Sequence, residues 1–230
     1  GYLKLDPADE ALKLGQFPEW KEVLTTLQSE IKEFYAANEG KEPGVDMPGF
    51  DSNTLHMWHI YVGGLRQLND GTWVASDIDM ARTLAENSLD AFKWMESIGI
   101  AAKTGAEASD TVFTVLGAMW PRTHAVSADK PLIDALEKAA EDAGVTIYTE
   151  TAAVALTTDD SGKVIGAEAK KADGTKITVN ASKGVILASG GYCANAPMVK
   201  EYDKYWGDDL SDHTLTTNVG TNTGDGIVMA

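Results

Sequence analysis

Apolar residues recur every three or four positions in three stretches of the first 144 residues, and this spacing predicts amphipathic helices. Each stretch ends at Asn or Gly, as helices commonly do; the stretches are residues 18–38, 76–99 and 127–144. Side-chain caps are expected at Ser76 or Asp77 and at Ser127 or Asp129, with Pro131 tolerated in the first turn. Residues 40–50 and 101–120 read as loops, and 52–60 are ambiguous.

From Val145 onward the pattern changes to short runs that suit strands. Val145–Thr149 is predicted as a strand, followed by a meander over residues 153–158, 163–171 and 175–180 with turns at 160–162 and 173–174. The run Val185–Ala188 is apolar without alternation, which suits a strand covered on both faces of a parallel sheet. Residues 195–202 suit a short helix. The sequence therefore predicts the α/β class.

Composition narrows the range of functions. The chain has 230 residues, 43% of them hydrophobic, which is enough for one substantial core, with or without a small appendage. The formal charge of -16 argues against nucleic acid or an anionic membrane surface as partner. No apolar run is long enough to span a membrane. The single cysteine, Cys193, excludes an internal disulfide, leaves the compartment open, and is expected to be a small packed residue rather than a redox thiol.

Two glycine motifs near the end of the chain carry the strongest chemical signal. Gly190 and Gly191 directly follow the predicted buried strand, and ligands of open α/β sheets bind outside the carboxyl ends of strands. Backbone N–H groups at such a turn suit a pyrophosphate. A second motif, Gly224-Asp225-Gly226, follows about thirty residues later. Either motif alone is also typical of an ordinary turn or helix start, and their pairing favours a cofactor site.

The segments around these motifs resemble a known flavoprotein family, the soluble fumarate reductases and urocanate reductases. Succinate dehydrogenase flavoprotein subunits and L-aspartate oxidases are more distant members. The likeness is carried, in the family's order, by residues 63–66, 69–70, 94–99, 121–124, 186–195, 217–218 and 223–230. It implies that residues 61–230 are part of a two-dinucleotide-binding (FAD/NAD(P)-type) flavin domain, with the three-stranded meander inside it. Residues 1–60 are then a peripheral helical segment.

The same resemblance indicates which segments of the family's fold to look for beyond this chain. Members begin with a strand and a Gly-x-Gly-x-x-Gly turn, and no such pattern occurs in this sequence. The clamp and C-terminal segments of the family follow the Gly-Asp-Gly motif, which is close to Ala230 here. The opening residues, Gly1–Leu5, read as an internal segment. We therefore expect the chain to be a portion of a longer flavoenzyme.

FAD is the cofactor that the resemblance implies. The resemblance also indicates which residues of this chain contact each part of FAD. The matching strand end lies against the adenosine diphosphate part, Asp225 lies near the ribityl chain or pyrophosphate, and the backbone of Ala153 reads the adenine edge. The cofactor-binding residues are then Ala153, Ala188, Ser189, Gly190, Gly191, Thr223, Gly224 and Asp225. From the residues alone, Asp225 could equally be the cap at the start of a helix. Ala153 could equally be a meander residue with no role in binding.

Arg122 and His124 align with an Arg-Thr-His element near the flavin, and cationic side chains suit an anionic substrate. The glycines that follow this element in the family are missing here, and a salt-bridged loop is an equal alternative. His56 and His59 share a helix face without a third ligand nearby, so no metal site is expected.

The activity implied by the resemblance is hydride transfer from reduced FAD to the double bond of a small unsaturated carboxylate, with the electron donor left open. Family members carry their catalytic residues after the Gly-Asp-Gly motif, so none is assigned here and the chain alone is expected to have no turnover. Two alternatives stay open. One is a flavin dehydrogenase of a bulkier substrate such as a 3-ketosteroid, and the other is a non-catalytic domain with a decayed flavin site.

Overall fold

A computed structural model describes residues 1–100, 120–123 and 132–230. These residues form two compact units. The first comprises Gly1–Gln67 and Thr72–Gly144, and the second comprises Leu68–Gly71 and Val145–Ala230. No helix among the described residues combines the length and apolarity that crossing a membrane requires. The domain boundary expected at residue 60 stays a prediction.

The first unit is mainly helical. Its helices are α1 (Glu19–Ala37), α2 (Asn53–Gly64), α3 (Ile78–Ser97) and α4 (Leu132–Asp142), with 3-10 turns at Tyr2–Lys4 and Glu10–Leu12. A small antiparallel hairpin pairs β1 (Arg66–Gln67) with β2 (Trp73–Val74). The helices predicted at 18–38 and 76–99 are thereby confirmed, and the third is confirmed from Leu132 onward. Its expected caps, Ser127 and Asp129, lie outside the described residues, as do Pro131 and most of the predicted loop 101–120.

The core of the first unit lies between α1 and α2. Trp20 and Tyr61 stack with their ring centroids 4.9 Å apart, and the Tyr61 hydroxyl donates to the Leu12 carbonyl. The fully buried side chains are Trp20, Leu24, Leu27, Leu55, Trp58 and Tyr61. Helix α2 buries residues on most of its circumference, including His59, so it lacks the one-sided pattern of a surface helix. This is why the sequence left 52–60 ambiguous.

Side-chain caps fix where two of these helices begin. The Ser52 hydroxyl accepts a hydrogen bond from the Leu55 N–H at the start of α2. Asp77, rather than Ser76, caps α3 by accepting from the Met80 N–H. Both arrangements satisfy an N–H group that has no partner within its helix.

The second unit is built on an antiparallel meander of β3 (Thr151–Thr158), β4 (Val164–Lys171) and β5 (Lys176–Asn180). The unit also contains α5 (Ala196–Tyr202), a 3-10 turn (Gly207–Asp209) and α6 (Asp225–Met229), which packs on β3. Gly162 and Gly174 have φ values of 84° and 88°, which the tight turns between the strands require. The predicted meander and the short helix at 195–202 are confirmed.

Two predicted strands are wrong. Residues 145–149 and 185–188 belong to no sheet in the described part of the chain. Ile186 is 92% exposed and Val145 is 55% exposed. A buried strand requires neighbours that hydrogen-bond to its edges and cover its faces, and no described strand lies beside either run. The apolar pattern was detected correctly, but the pairing that would make it a strand is not found among the described residues.

Candidate functional site

The two glycine motifs of the second unit lie against each other. A Cβ atom at Gly226 would lie 2.1 Å from the Ser189 hydroxyl oxygen. One at Gly224 would lie 2.6 Å from the Met198 sulfur and 2.9 Å from the Tyr192 Cβ. Gly224 also has a φ of 91°, which residues with side chains rarely adopt. The backbone therefore approaches closely at both positions only because they are glycine.

Two hydrogen bonds tie the same segments together. The Ala194 N–H donates to the Asn222 carbonyl at 2.9 Å, and the Asn195 side-chain Nδ2 donates to the Thr223 carbonyl at 3.1 Å. Asn195 Oδ1 accepts from the Met198 N–H at 3.2 Å and so caps α5. The loop after Gly191 is thus fixed to the residues just before Gly224.

The turn at Gly190-Gly191 presents unused polar groups. Gly190 has a φ of 78°, and neither N–H group of the pair donates a hydrogen bond within the described residues. Asn222 Oδ1 is buried without a partner in the described structure, 3.5 Å from where a Gly190 Cβ would lie. A buried polar atom without a partner is costly, so its retention beside this turn marks the place as a candidate site. Ala188 and Ser189 lead directly into the turn.

Asp225 is the first residue of α6 and is exposed. Its carboxylate accepts from the Thr223 hydroxyl at 3.0 Å and caps no backbone N–H; Gly224 occupies the N-cap position. The helix start predicted here is confirmed, and the interpretation of Asp225 as its cap is wrong. The Asp225 carboxylate is consequently available for another partner.

Ala153 lies on β3 at an irregularity of the sheet. Ala153 pairs with Ala169 and Ala155 pairs with Glu168, so Val154 is an extra residue that forms a β-bulge. Bulges re-aim the backbone and often occur next to functional sites. The role predicted for the Ala153 backbone stays a prediction.

Arg122 lies in the first unit and is held by two partners. Its guanidinium forms paired hydrogen bonds with the Asp51 carboxylate, at 3.1 Å from Nε and 2.5 Å from Nη2. Its Nη1 lies 3.1 Å from His59 Nδ1. These contacts agree with the alternative given for Arg122 from the sequence, a loop held by a salt bridge. His124 lies outside the described residues, and the substrate-side role of both residues stays a prediction.

His59 links Arg122 to the start of the chain. Arginine can only donate, so His59 Nδ1 is the acceptor and Nε2 carries the proton that faces the Tyr2 hydroxyl at 2.7 Å. Burial and then the Arg122 charge lower the pKa of His59 from 6.5 to about 4, against an opposing effect of Asp51. His56 has its pKa lowered by the same two causes. His59 is therefore neutral near pH 7.

Asn195 and Asn222 are site residues that were not predicted from the sequence. Asn195 is the last residue of one segment that carried the family resemblance, and Asn222 directly precedes another. Their only local signal is their position, Asn195 just after the glycine pair and Asn222 just before Thr223. Asparagine is common in loops and turns, so that position alone predicts no role.

Comparison with known proteins places the geometry in a family. Residues 44–230 match the family described as FAD binding domain. The chain is 36% identical over 180 residues to the NADH:acrylate oxidoreductase of Vibrio harveyi. The matched region covers 77% of this chain and 17% of the relative. It is 33% identical over 159 residues to the probable fumarate reductase Ifc3 of Shewanella frigidimarina (strain NCIMB 400), covering 67% of this chain and 25% of the relative.

A solved structure agrees with these sequence relatives. The open conformation of a flavocytochrome c3 fumarate reductase superposes with a TM-score of 0.59 at 28% identity, covering 78% of this chain and 29% of that one. The chain therefore spans less than a third of the length of each of these three proteins. The resemblance and the partial flavin-domain fold that were predicted from the sequence are confirmed.

Proposed function

The chain belongs to the FAD binding domain family, and on this premise we propose that it forms part of the FAD site of a reductase of small unsaturated carboxylates. The observation that carries the proposal is the close approach of Gly226 to Ser189, which brings the segment leading into the Gly190-Gly191 turn and the Gly-Asp-Gly motif together. Both segments are those expected at the cofactor from the sequence.

The residues present fit a dinucleotide. The N–H groups of Gly190 and Gly191 have no partner among the described residues, and phosphate oxygens only accept hydrogen bonds. The exposed Asp225 carboxylate suits hydroxyl donors on the ribityl chain. The residues proposed to hold FAD are Ala153, Ala188, Ser189, Gly190, Gly191, Thr223, Gly224 and Asp225. When bound, FAD supplies the two electrons of the reaction as a hydride.

The substrate class is supported by the sequence relatives. One is named for acrylate and another for fumarate, and both compounds carry a double bond conjugated to a carboxylate. An anionic substrate must overcome a protein charge of -16, so local cations are required at the reacting centre. Arg122 is already neutralised by Asp51, which makes it a poor clamp in the conformation described. We assign no catalytic residue, and the electron donor stays open.

FAD binding by the purified protein tests the proposal. We expect yellow flavin to remain with the protein through gel filtration after incubation with excess FAD, and to be released by denaturation. Retention of flavin would also exclude a decayed site. Colourless protein that gives the circular dichroism of a folded chain would contradict the proposal.

A further inference from the structure

Two neighbouring donors in one loop hold two neighbouring carbonyl groups in another. Ala194 and Asn195 donate from the backbone and the side chain, respectively, and the acceptors are the carbonyls of Asn222 and Thr223, at 2.9 and 3.1 Å. The donors lie just after the glycine pair, and the acceptors lie just before Gly224. This double contact sets the spacing of the two motifs.

The amide of Asn195 is used at both ends. Oδ1 faces the Met198 N–H, which can only donate, and Nδ2 faces the Thr223 carbonyl, which can only accept. The two partners therefore fix the orientation of the amide without ambiguity. One end caps α5, and the other reaches across to the residue that precedes Gly224 and Asp225.

Met198 adds a packing contact to this arrangement. Its side chain is buried, and its sulfur lies where a side chain at Gly224 would be, 2.6 Å from the position of a Cβ. The cap that starts α5 therefore also places the side chain that packs under Gly224. Asn195 acts on the Gly-Asp-Gly motif by two routes, through Thr223 directly and through Met198.

We propose that Asn195 is a positioning residue of the cofactor site. It holds Thr223, Gly224 and Asp225 at the separation from Gly190-Gly191 that a dinucleotide requires. The inference deepens the proposed function and rests on it. The Nδ2 bond to Thr223 is the half of the double contact that substitution of a side chain can remove, because the Ala194 contact is made by the backbone.

Three substitutions separate positioning from helix capping. Asn195→Asp and Asn195→Ser keep an oxygen that caps α5, since Asp, Ser and Asn are comparable N-caps, but both lack the Nδ2 donor. Asn195→Ala removes the cap and the donor. Asn180→Ala is the matched control, because it removes the same side chain from the exposed end of β5. FAD dissociation constants and flavin-free thermal midpoints are measured for all four variants and the unaltered protein.

We expect the Asp and Ser variants to bind FAD about three- to tenfold more weakly, as expected for loss of one hydrogen bond, while their flavin-free thermal midpoints fall less than that of the Ala variant, which also loses the cap. The Asp variant should lose more than the Ser variant, because its carboxylate would face the Thr223 carbonyl. The Ala variant should lose both affinity and thermal stability, and the control should lose neither.

Unaltered FAD affinity in the Asp and Ser variants would overturn the inference and leave the proposed function standing. Thermal midpoints that fall in all three Asn195 variants in step with affinity would also overturn it, because Asn195 would then act only by stabilising the fold. Absence of FAD binding by the unaltered protein would overturn the proposed function and this inference together.

Discussion

A side chain at residue 226 would meet the Ser189 hydroxyl, which would have to move to make room for it. We predict that Gly226→Ala destabilises the second unit by about 1–3 kcal/mol, the usual cost of overpacking, and weakens FAD binding. Gly220→Ala is the control, because no atom lies within 4 Å of the added Cβ. Adding Ser189→Ala to Gly226→Ala should restore part of the loss, since it removes the oxygen 2.1 Å away. Chemical denaturation and FAD titration measure both effects.

His59 should make the stability of the first unit depend on pH. Burial and the Arg122 charge lower the pKa of its imidazole to about 4, so the unfolded chain binds a proton that the folded chain resists. Its stabilising contribution is complete above its ordinary pKa of 6.5 and is lost as the pH falls toward 4. We predict that the free energy of unfolding decreases over this range by up to about 1.4 kcal/mol per pH unit from this group.

His59→Asn provides the comparison for this prediction, because it offers Arg122 an amide oxygen and does not titrate. Urea unfolding can be followed by tryptophan fluorescence, since five of the six tryptophans lie in the first unit. The carboxylates titrate in both proteins, so the difference between the two curves isolates the histidine. Parallel curves between about pH 6.5 and about pH 4 would show that His59 does not contribute.

Single residues of the candidate site were predictable where backbone geometry selects the residue type. Gly190 and Gly224 have φ values that favour glycine, so the presence of glycine at these positions already predicts a turn of the backbone there. The partners of Arg122 were not predictable, because Asp51 lies 71 residues away and nothing local connects them. Asn195 was missed for a related reason, since its second partner, Thr223, lies 28 residues further along the chain.

At the scale of elements, the capping side chains of α2 and α3 differ in the number of hydrogen bonds that they make. The Ser52 hydroxyl accepts from the Leu55 N–H and also donates to the Glu30 carboxylate at 2.7 Å. Among the described residues, the Asp77 side chain makes only its cap bond. We predict that Ser52→Ala costs about 1–2 kcal/mol and Asp77→Ala about 1 kcal/mol. Thermal denaturation of both variants measures the difference; a larger loss for Asp77→Ala would contradict the role of Glu30.

The exposed run 185–188 gives a test that separates the structure from the sequence-based expectation. Ile186 is 92% exposed, so we predict that Ile186→Asn changes the free energy of unfolding by less than about 0.5 kcal/mol. In a strand covered on both faces, the same change would bury an amide and cost about 2 kcal/mol or more. Urea denaturation decides between them, with Leu24→Asn in the core as the positive control.

Elements were predictable from the sequence where their signal is local. Helices α1 and α3 show one apolar face, and the meander shows Gly162 and Gly174 at its turns. The strands expected at 145–149 and 185–188 required partners that a local pattern does not contain. Helix α2 could not be assigned from the sequence. Because it is buried on most of its circumference, its apolar residues do not show the spacing of three or four positions that marks a helix with one buried face.

At the scale of the whole molecule, the apolar core is unevenly divided. Among the described residues, Met198 is the one buried apolar side chain of the second unit, and the others lie in the first. We predict that amide hydrogens of β3–β5 exchange faster than those of α1 and α2, because local stability follows buried apolar contacts. Hydrogen exchange with mass spectrometry measures this, and FAD should slow exchange in the second unit. Equal protection in both units would contradict the prediction.

The crowding at Gly224 and Gly226 has a genetic consequence. Every base change in a glycine codon that alters the encoded residue, short of a stop codon, adds at least a Cβ atom. At these two positions that atom would meet Met198 or Ser189, whereas at Gly220 it would meet open space. Inherited substitutions should therefore accumulate at residue 220. At residues 224 and 226 they should be removed by selection, so that both positions remain glycine while other parts of the gene change.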